Sequence, residues 1–190
     1  KVTLNGTEAI LSDGAQIDFG AVAKGYAAEQ CAQILRQNGV EAALLSLSGN
    51  IQTVGAKPDG TDWEIAIRDP FDTSKTIAML SVTGDAAIVT SGSYERYFEE
   101  NGQIYHHIMN PRTGRPADSG LVSVTIVADD GFLADGLSTA LFVMGLDDAI
   151  SFWRASNDFE AVLIDSDGTI YVTEGLADRI TCELYQVISR

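Results

Sequence analysis

From Glu41 to Thr90 the apolar residues fall in runs of strand length, each cut off by turn chemistry, and this rhythm constrains the fold more than any other feature of the chain. The runs are Ala42 to Leu47, Ile51 to Val54, the alternating Trp63-Glu64-Ile65-Ala66-Ile67-Arg68, Thr76 to Val82 and Ala87 to Thr90. Between them stand Ser48-Gly49-Asn50, Lys57-Pro58-Asp59-Gly60, Asp69-Pro70 and Gly84-Asp85, all residues that favour turns. Tyr94 to Phe98 and Gln103 to Met109 flank Glu99-Glu100-Asn101-Gly102, where Asn-Gly predicts a hairpin. Leu121 to Ala128 is apolar almost throughout, which predicts a buried strand. Near the end of the chain, Ala161 to Ile164 and Thr169 to Val172 enclose Asp165-Ser166-Asp167-Gly168, and a last strand is expected near Leu184 to Ile188. The acidic run opens like a calcium loop but lacks the closing acidic residue, so a hairpin turn is the better reading.

Helical periodicity interrupts this pattern three times. Ala21 to Asn38 is rich in Ala and long side chains, with Tyr26, Ala27, Cys31, Ile34 and Leu35 expected on one face and Gly39 as the stop. Asp18, just upstream, suits the positive end of that helix dipole. A second helix is expected from Gly131 or Phe132 to about Met144, ended by Gly145, and a third from Leu146 to Ala155. The prediction is an α+β fold, a mainly antiparallel sheet with two or three packed helices. With 190 residues, 45% of them hydrophobic, and no repeat or linker, the chain is read as one unit.

Charge narrows the function. Twenty-seven acidic against twelve basic side chains give a formal net charge of -15, a field that repels nucleic acid and anionic lipid. No apolar run approaches the roughly 20 residues of a membrane span, and residues 1–4 lack the apolar core of a signal peptide. Cys31 and Cys182 form no C-x-x-C pair; two buried thiols are expected, with a disulfide as the alternative. An anionic ligand would need a local cation or aimed N–H groups.

Five segments offer such chemistry. In Ala134-Asp135-Gly136-Leu137-Ser138-Thr139-Ala140, Asp135, Ser138 and Thr139 stand at i, i+3 and i+4, so three hard oxygens share one helix face. They suit part of a Mg²⁺ shell; equally, Asp135 suits a cap on the first turn of its own helix, with Thr139 bonding back. Asp18, Ala21 and Lys24 recur one turn apart, with Gly20 and Gly25 allowing close backbone approach; a nucleotide contact and a surface Asp/Lys pair both fit. The turns at Ser48-Gly49-Asn50 and Ser91-Gly92-Ser93 offer backbone N–H groups to a phosphate or adenine, or simply connect strands. His106 and His107 cannot both line one pocket if they lie in a strand, since neighbours point to opposite faces. A metal pair is therefore disfavoured, and His107 is taken as the residue that stacks or hydrogen-bonds.

Taken together, Ile17 to Ala27, Ser48-Gly49-Asn50-Ile51, Thr90-Ser91-Gly92-Ser93-Tyr94, His107-Ile108-Met109-Asn110-Pro111-Arg112-Thr113-Gly114-Arg115-Pro116 and Ala134 to Ala140 resemble, in order, the motifs of the ApbE family of FAD:protein FMN transferases. The resemblance implies a Mg²⁺-dependent enzyme that cleaves FAD and transfers FMN to a threonine of a partner protein through a phosphoester bond. The alternatives are an FAD pyrophosphatase giving FMN and AMP, and a non-catalytic flavin-binding protein. By motif, Asp18 and Lys24 correspond to FAD contacts, and so do the turns at Ser48, Gly49 and Asn50 and at Ser91 and Gly92. His107, Ile108 and Met109 correspond to the flavin-contacting segment. The Ala21 carbonyl, Asp135, Ser138 and Thr139 correspond to metal ligands, and Asp135 and Lys24 to the catalytic groups. Where family members often have two glycines and an Asp, this chain has Ser48-Gly49-Asn50. The resemblance covers roughly the C-terminal two-thirds of a family member, so an additional N-terminal segment is expected in the family fold, along with attachment to the outer face of the cell membrane.

Overall fold

The computed structural model describes residues 2–190. In chain order it contains β1 (Val2–Asn5), β2 (Glu8–Leu11), α1 (Ala23–Gln37), β3 (Ala43–Leu47), β4 (Asn50–Val54), β5 (Trp63–Arg68), β6 (Thr76–Val82), β7 (Ala86–Gly92), β8 (Tyr97–Glu100), β9 (Gln103–His106), β10 (Met109–Asn110), β11 (Arg115–Pro116), β12 (Leu121–Ala128), α2 (Gly131–Met144), α3 (Leu146–Arg154), β13 (Phe159–Asp165), β14 (Ile170–Thr173), β15 (Ile180–Cys182) and β16 (Gln186–Ile188). The expected α+β class holds. A seven-stranded sheet runs β16-β14-β13-β12-β7-β4-β3 and is antiparallel except where β14 meets β16.

Three layers form around that sheet. Ala87 and Val89 of β7, Val124, Ile126 and Ala128 of β12, and Ala161 and Leu163 of β13 pack against Leu141 and Phe142 of α2 and Trp153 of α3. Ile88 of β7 and Val162 and Ile164 of β13 point the other way, into a second core shared with the sheet β15-β6-β5 through Ile65, Ile67 and Leu80. Both faces of the middle strands are thus covered. That is why Leu121 to Ala128 shows no alternation, whereas Trp63 to Arg68, open on one face, does.

Local chemistry sets the joints. The hairpins β3–β4 and β8–β9 turn on Ser48 (φ 46°) with Gly49 (φ 90°) and on Asn101 (φ 54°) with Gly102 (φ 76°), two positive dihedrals in a row as a tight two-residue hairpin needs. α1 ends as expected: the Val40 N–H donates to Leu35 O and the Gly39 N–H to Arg36 O, closing the helix on a left-handed glycine. Asp165 Oδ1 accepts from the N–H groups of Asp167 and Thr169, which makes the acidic run the turn between β13 and β14.

Two expectations are corrected. The face of α1 that packs inward is Gly25, Ala28 and Ala32, while Tyr26 (56% exposed), Ile34 (57%) and Cys31 lie outside. Small residues win because α1 lies close on α2 and β4, where large ones would not fit. The thiols are free, Cys31 exposed and Cys182 half-buried, so neither the buried pair nor the disulfide is found. The short strands β1, β2, β10, β11 and β15 escape the sequence reading because each pairs over two to four residues.

Candidate functional site

The site forms where α1 and α2 cross above β4 and β7. The crossing is glycine on glycine: a Cβ on Gly25 would lie 2.1 Å from Gly131 O and 2.6 Å from Asp135 Cβ, so only hydrogen fits. This approach carries the N-terminus of α1 onto α2. Gly25 is the third residue of α1, and its N–H donates to Asp135 Oδ2 at 2.7 Å. The carboxylate, 3% exposed, therefore faces the positive end of a helix that is not its own. The cap on α2 itself is Asp130, which accepts from the Leu133 N–H at 3.0 Å; the reading of Asp135 as that cap is thereby overturned.

One turn on, three hydroxyls meet. Ser138 Oγ donates to Asp135 O (2.8 Å), Ser91 Oγ lies 2.8 Å from Ser138 Oγ and 3.2 Å from Thr139 Oγ1. Each hydroxyl has one proton, so the order follows: Ser138 to the carbonyl, Ser91 to Ser138, Thr139 to Ser91. Thr139 Oγ1, half-buried, is left with lone pairs alone to offer. Ser91 thus joins the site through its side chain, where the sequence suggested its backbone. Thr139 does not bond back to its own helix in this arrangement. Gly92, next in β7, lies under the Tyr94 ring, 2.4 Å from where a Cβ would stand.

Lys24 links the first segment to the second. Its Nζ donates to Ser48 O at 3.0 Å, drawing the β3–β4 turn and the start of α1 together. Asp18 does not cap α1; its Oδ1 accepts from the Gly20 N–H (2.6 Å) and shapes the turn in which Ala21 sits, exposed, ahead of the helix. Phe19 O receives the N–H groups of Val22 and Ala23 and completes that entry.

The histidines separate where β9 ends, at His106, and the inner one is His106. Its ring meets Phe142 edge-on at 5.6 Å, and Nε2 donates to Ala117 O at 3.0 Å while Nδ1 accepts from the Ile108 N–H. Burial pushes its pKa below the usual 6.5, against a smaller opposing pull from the Ala117 carbonyl. A folded pKa below the unfolded one means the unfolded chain binds the extra proton. His106 therefore costs nothing well above pH 6.5 and subtracts stability as pH falls through that value toward its folded pKa. An NMR titration of the His106 ring is expected to give a midpoint below 6.5. His107 is exposed, its N–H donating to Arg96 O at 3.0 Å. Ile108 is buried in the helix-side core and Met109 is half exposed, so this segment presents His107 and Met109, not the Ile108 side chain, to the outside.

Two site neighbours were hidden from the sequence as a pair. Asn50 (1% exposed) and Gln52 (0%) alternate on the helix-facing side of β4, opposite Val89 and Ala87, and none of their four amide atoms has a hydrogen-bond partner among the described residues. Gln52 is the new member; its signal is a long polar side chain between Ile51 and Thr53 within a strand-length run. Among the described residues, no three His, Cys, Asp or Glu side chains group in a way that could hold a metal. A cation here would be held by one carboxylate with hydroxyl and carbonyl oxygens.

The chain is similar in sequence and fold to known proteins. The sequence pattern of the ApbE family matches residues 1–163. An FAD:protein FMN transferase of Treponema pallidum is 37% identical over 175 residues, 88% of this chain and 48% of the relative. One of Klebsiella pneumoniae is 38% identical over 161 residues, 84% of this chain and 49% of the relative. The crystal structure of an ApbE protein from Thermotoga maritima superposes with a TM-score of 0.84 at 33% identity, covering 92% of this chain and 57% of that one. The flavin transferase ApbE from Vibrio cholerae gives 0.78 at 30% identity, covering 94% and 57%. The chain spans about half the length of these relatives, less than the two-thirds read from the motifs. Among the described residues no helix is long and apolar enough to cross a membrane. With the family's sequence pattern covering residues 1–163 and a solved ApbE structure superposing on most of the chain, this protein belongs to the ApbE family.

Proposed function

We propose that this chain carries the transfer site of an FAD:protein FMN transferase that uses Mg²⁺. The observation that carries the reading is the Gly25 N–H to Asp135 bond, which joins the segment holding Asp18, Ala21 and Lys24 to the one holding Asp135, Ser138 and Thr139. In the reaction a threonine hydroxyl of the acceptor forms a bond to the FMN phosphorus of FAD, the pyrophosphate P–O bond breaks, AMP leaves, and the threonine proton passes to a base. Such transfers depend on positioning and on neutralising phosphoryl charge more than on covalent catalysis.

The residues fit these demands. Mg²⁺ is a hard cation that takes oxygen ligands, and Asp135, the outward lone pairs of Thr139, Ser138 and the Ala21 carbonyl would hold it. When bound, the ion supplies positive charge to the pyrophosphate oxygens. Asp135 is the proposed proton acceptor as well as a ligand. Lys24 brings a cation to the Ser48-Gly49-Asn50 turn, and the N–H groups of that turn, with Ser91, Gly92 and Asp18, contact FAD. His107 and Met109 are the exposed members of the flavin-contacting segment. In a chain of net charge -15, a pyrophosphate needs this local positive charge. The family resemblance further supports placement on the outer face of the cytoplasmic membrane.

Incubation with FAD, Mg²⁺ and an acceptor protein bearing the threonine, with the remaining part of a relative supplied, is expected to give one covalent flavin per AMP released. Chelation of the metal is expected to stop it. Release of AMP and FMN at the same rate without acceptor would instead favour the pyrophosphatase reading.

A further inference from the structure

Asn50 and Gln52 hold four amide atoms at essentially zero exposure with no hydrogen-bond partner among the described residues. Leaving a buried polar group unpaired costs about 1–3 kcal/mol, so such groups call for an explanation. Their place supplies one. Gln52 Oε1 lies 2.9 Å from where a Cβ on Gly131 would stand; Gly131 O in turn abuts Gly25, whose N–H holds Asp135. The path from Gln52 to the site carboxylate thus runs through two glycines in van der Waals contact, with no flexible side chain to absorb a displacement. Asn50 begins the same strand directly after the Ser48-Gly49 turn that Lys24 grips, so the amide pair lies behind both halves of the site.

We propose that Asn50 and Gln52, bridged by internal water, form a polar wedge under the α1–α2 crossing, and that Gln52 is a positioning residue for Asp135. Water is the occupant that suits them. The pair is closed to larger ligands, and buried water characteristically makes two to four hydrogen bonds to otherwise unpaired groups. An aliphatic side chain would fill the space but would offer that water nothing to hold. The proposal rests on Asp135 being the site carboxylate, and it deepens the reading given above.

The test uses the wild-type chain and Gln52→Met, which keeps length and volume. In the wild type, the Gln52 side-chain amide protons are expected to show cross-relaxation to long-lived water. In Gln52→Met, the backbone resonance of Gly25 is expected to move as its 2.7 Å bond to Asp135 changes. Mg²⁺ binding by calorimetry should weaken about tenfold, the usual effect of removing a group that orients a ligand. The melting temperature is expected to fall, because the Asn50 amide and the bridging water lose a buried hydrogen-bond partner. No bound water at Gln52, or an unmoved Gly25 resonance with unchanged Mg²⁺ affinity, overturns the proposal. These readouts need no turnover, so an inactive wild type would count against the transferase reading and leave this one to be judged separately. Should Gln52→Met fail to fold, the wild-type water measurement still decides.

Discussion

Asp135→Ala is expected to abolish measurable FMN transfer, a loss of about 100-fold or more, while the protein still folds. The group removed is the one carboxylate at the helix crossing, and losing a single well-aimed charge-stabilising contact typically costs a factor of 10² to 10³. The same substitution strips the partner from the Gly25 N–H, and a hydrogen bond to a charged group is worth about 1.5–3 kcal/mol. Activity and stability therefore fall together in Asp135→Ala, which by itself leaves the cause open. Asp135→Asn separates them. Its amide oxygen still accepts from Gly25, so the melting temperature should return most of the way, but the negative charge is gone and Mg²⁺-dependent transfer should not return. Full activity in Asp135→Asn would remove the carboxylate from the mechanism.

The second large effect concerns backbone, not chemistry. In Gly25→Ala the new Cβ meets a carbonyl oxygen at 2.1 Å and Asp135 Cβ at 2.6 Å, and neither belongs to the far end of a flexible side chain. Helix propensity alone favours the alanine by about 1 kcal/mol. Overpacking costs about 1–3 kcal/mol, occasionally more, and contacts this short against backbone place the cost at the upper end. The net destabilisation of roughly 2 kcal/mol should lower the melting temperature by about 4–8 °C in a domain of this size. Relief requires α1 and α2 to part, which lengthens the bond from Gly25 to Asp135, so transfer should drop even below the new melting point. A useful contrast is Gly39→Ala, where φ is 77° but nothing lies within 4 Å. There the penalty is the left-handed conformation alone, about 1 kcal/mol, with no effect on the site. If both variants lose activity in proportion to stability, the crossing has no special role.

Much of the fold was legible because short-range physics fixed it. Trp63 to Arg68, Thr76 to Val82 and Leu121 to Ala128 stand as strands where period, turn residues and apolar continuity indicated, and α2 runs from Gly131 to Met144 as expected. Asn101-Gly102 and Gly39 act as their backbone freedom dictates. The inward face of α1 does not follow hydrophobicity. At a close helix crossing size decides instead: Gly25, Ala28 and Ala32 fill the interface, Ile34 stands outside, and Tyr26 meets Phe132 of α2 only edge-on at the rim.

The site divides along the same line. Residue identity and order alone gave the candidate set: Asp18, Lys24, the Ser48 and Ser91 turns, the His107 segment, and the triad Asp135, Ser138, Thr139. Spacing along a helix is enough to place three oxygens on one face, because the backbone repeat is fixed. What spacing could not supply was the partner of each group. That Asp135 caps α1 rather than α2, that Ser91 enters by its hydroxyl, that His106 is the inward ring, and that Asn50 and Gln52 lie unpaired behind the crossing are contacts between elements far apart in sequence, Gly25 and Asp135 being separated by 110 positions. A sequence specifies local conformation through propensities that act over a few residues. Which distant groups meet is settled only when the layers pack, because a difference as small as one methyl at Gly25 decides how closely the two helices can approach.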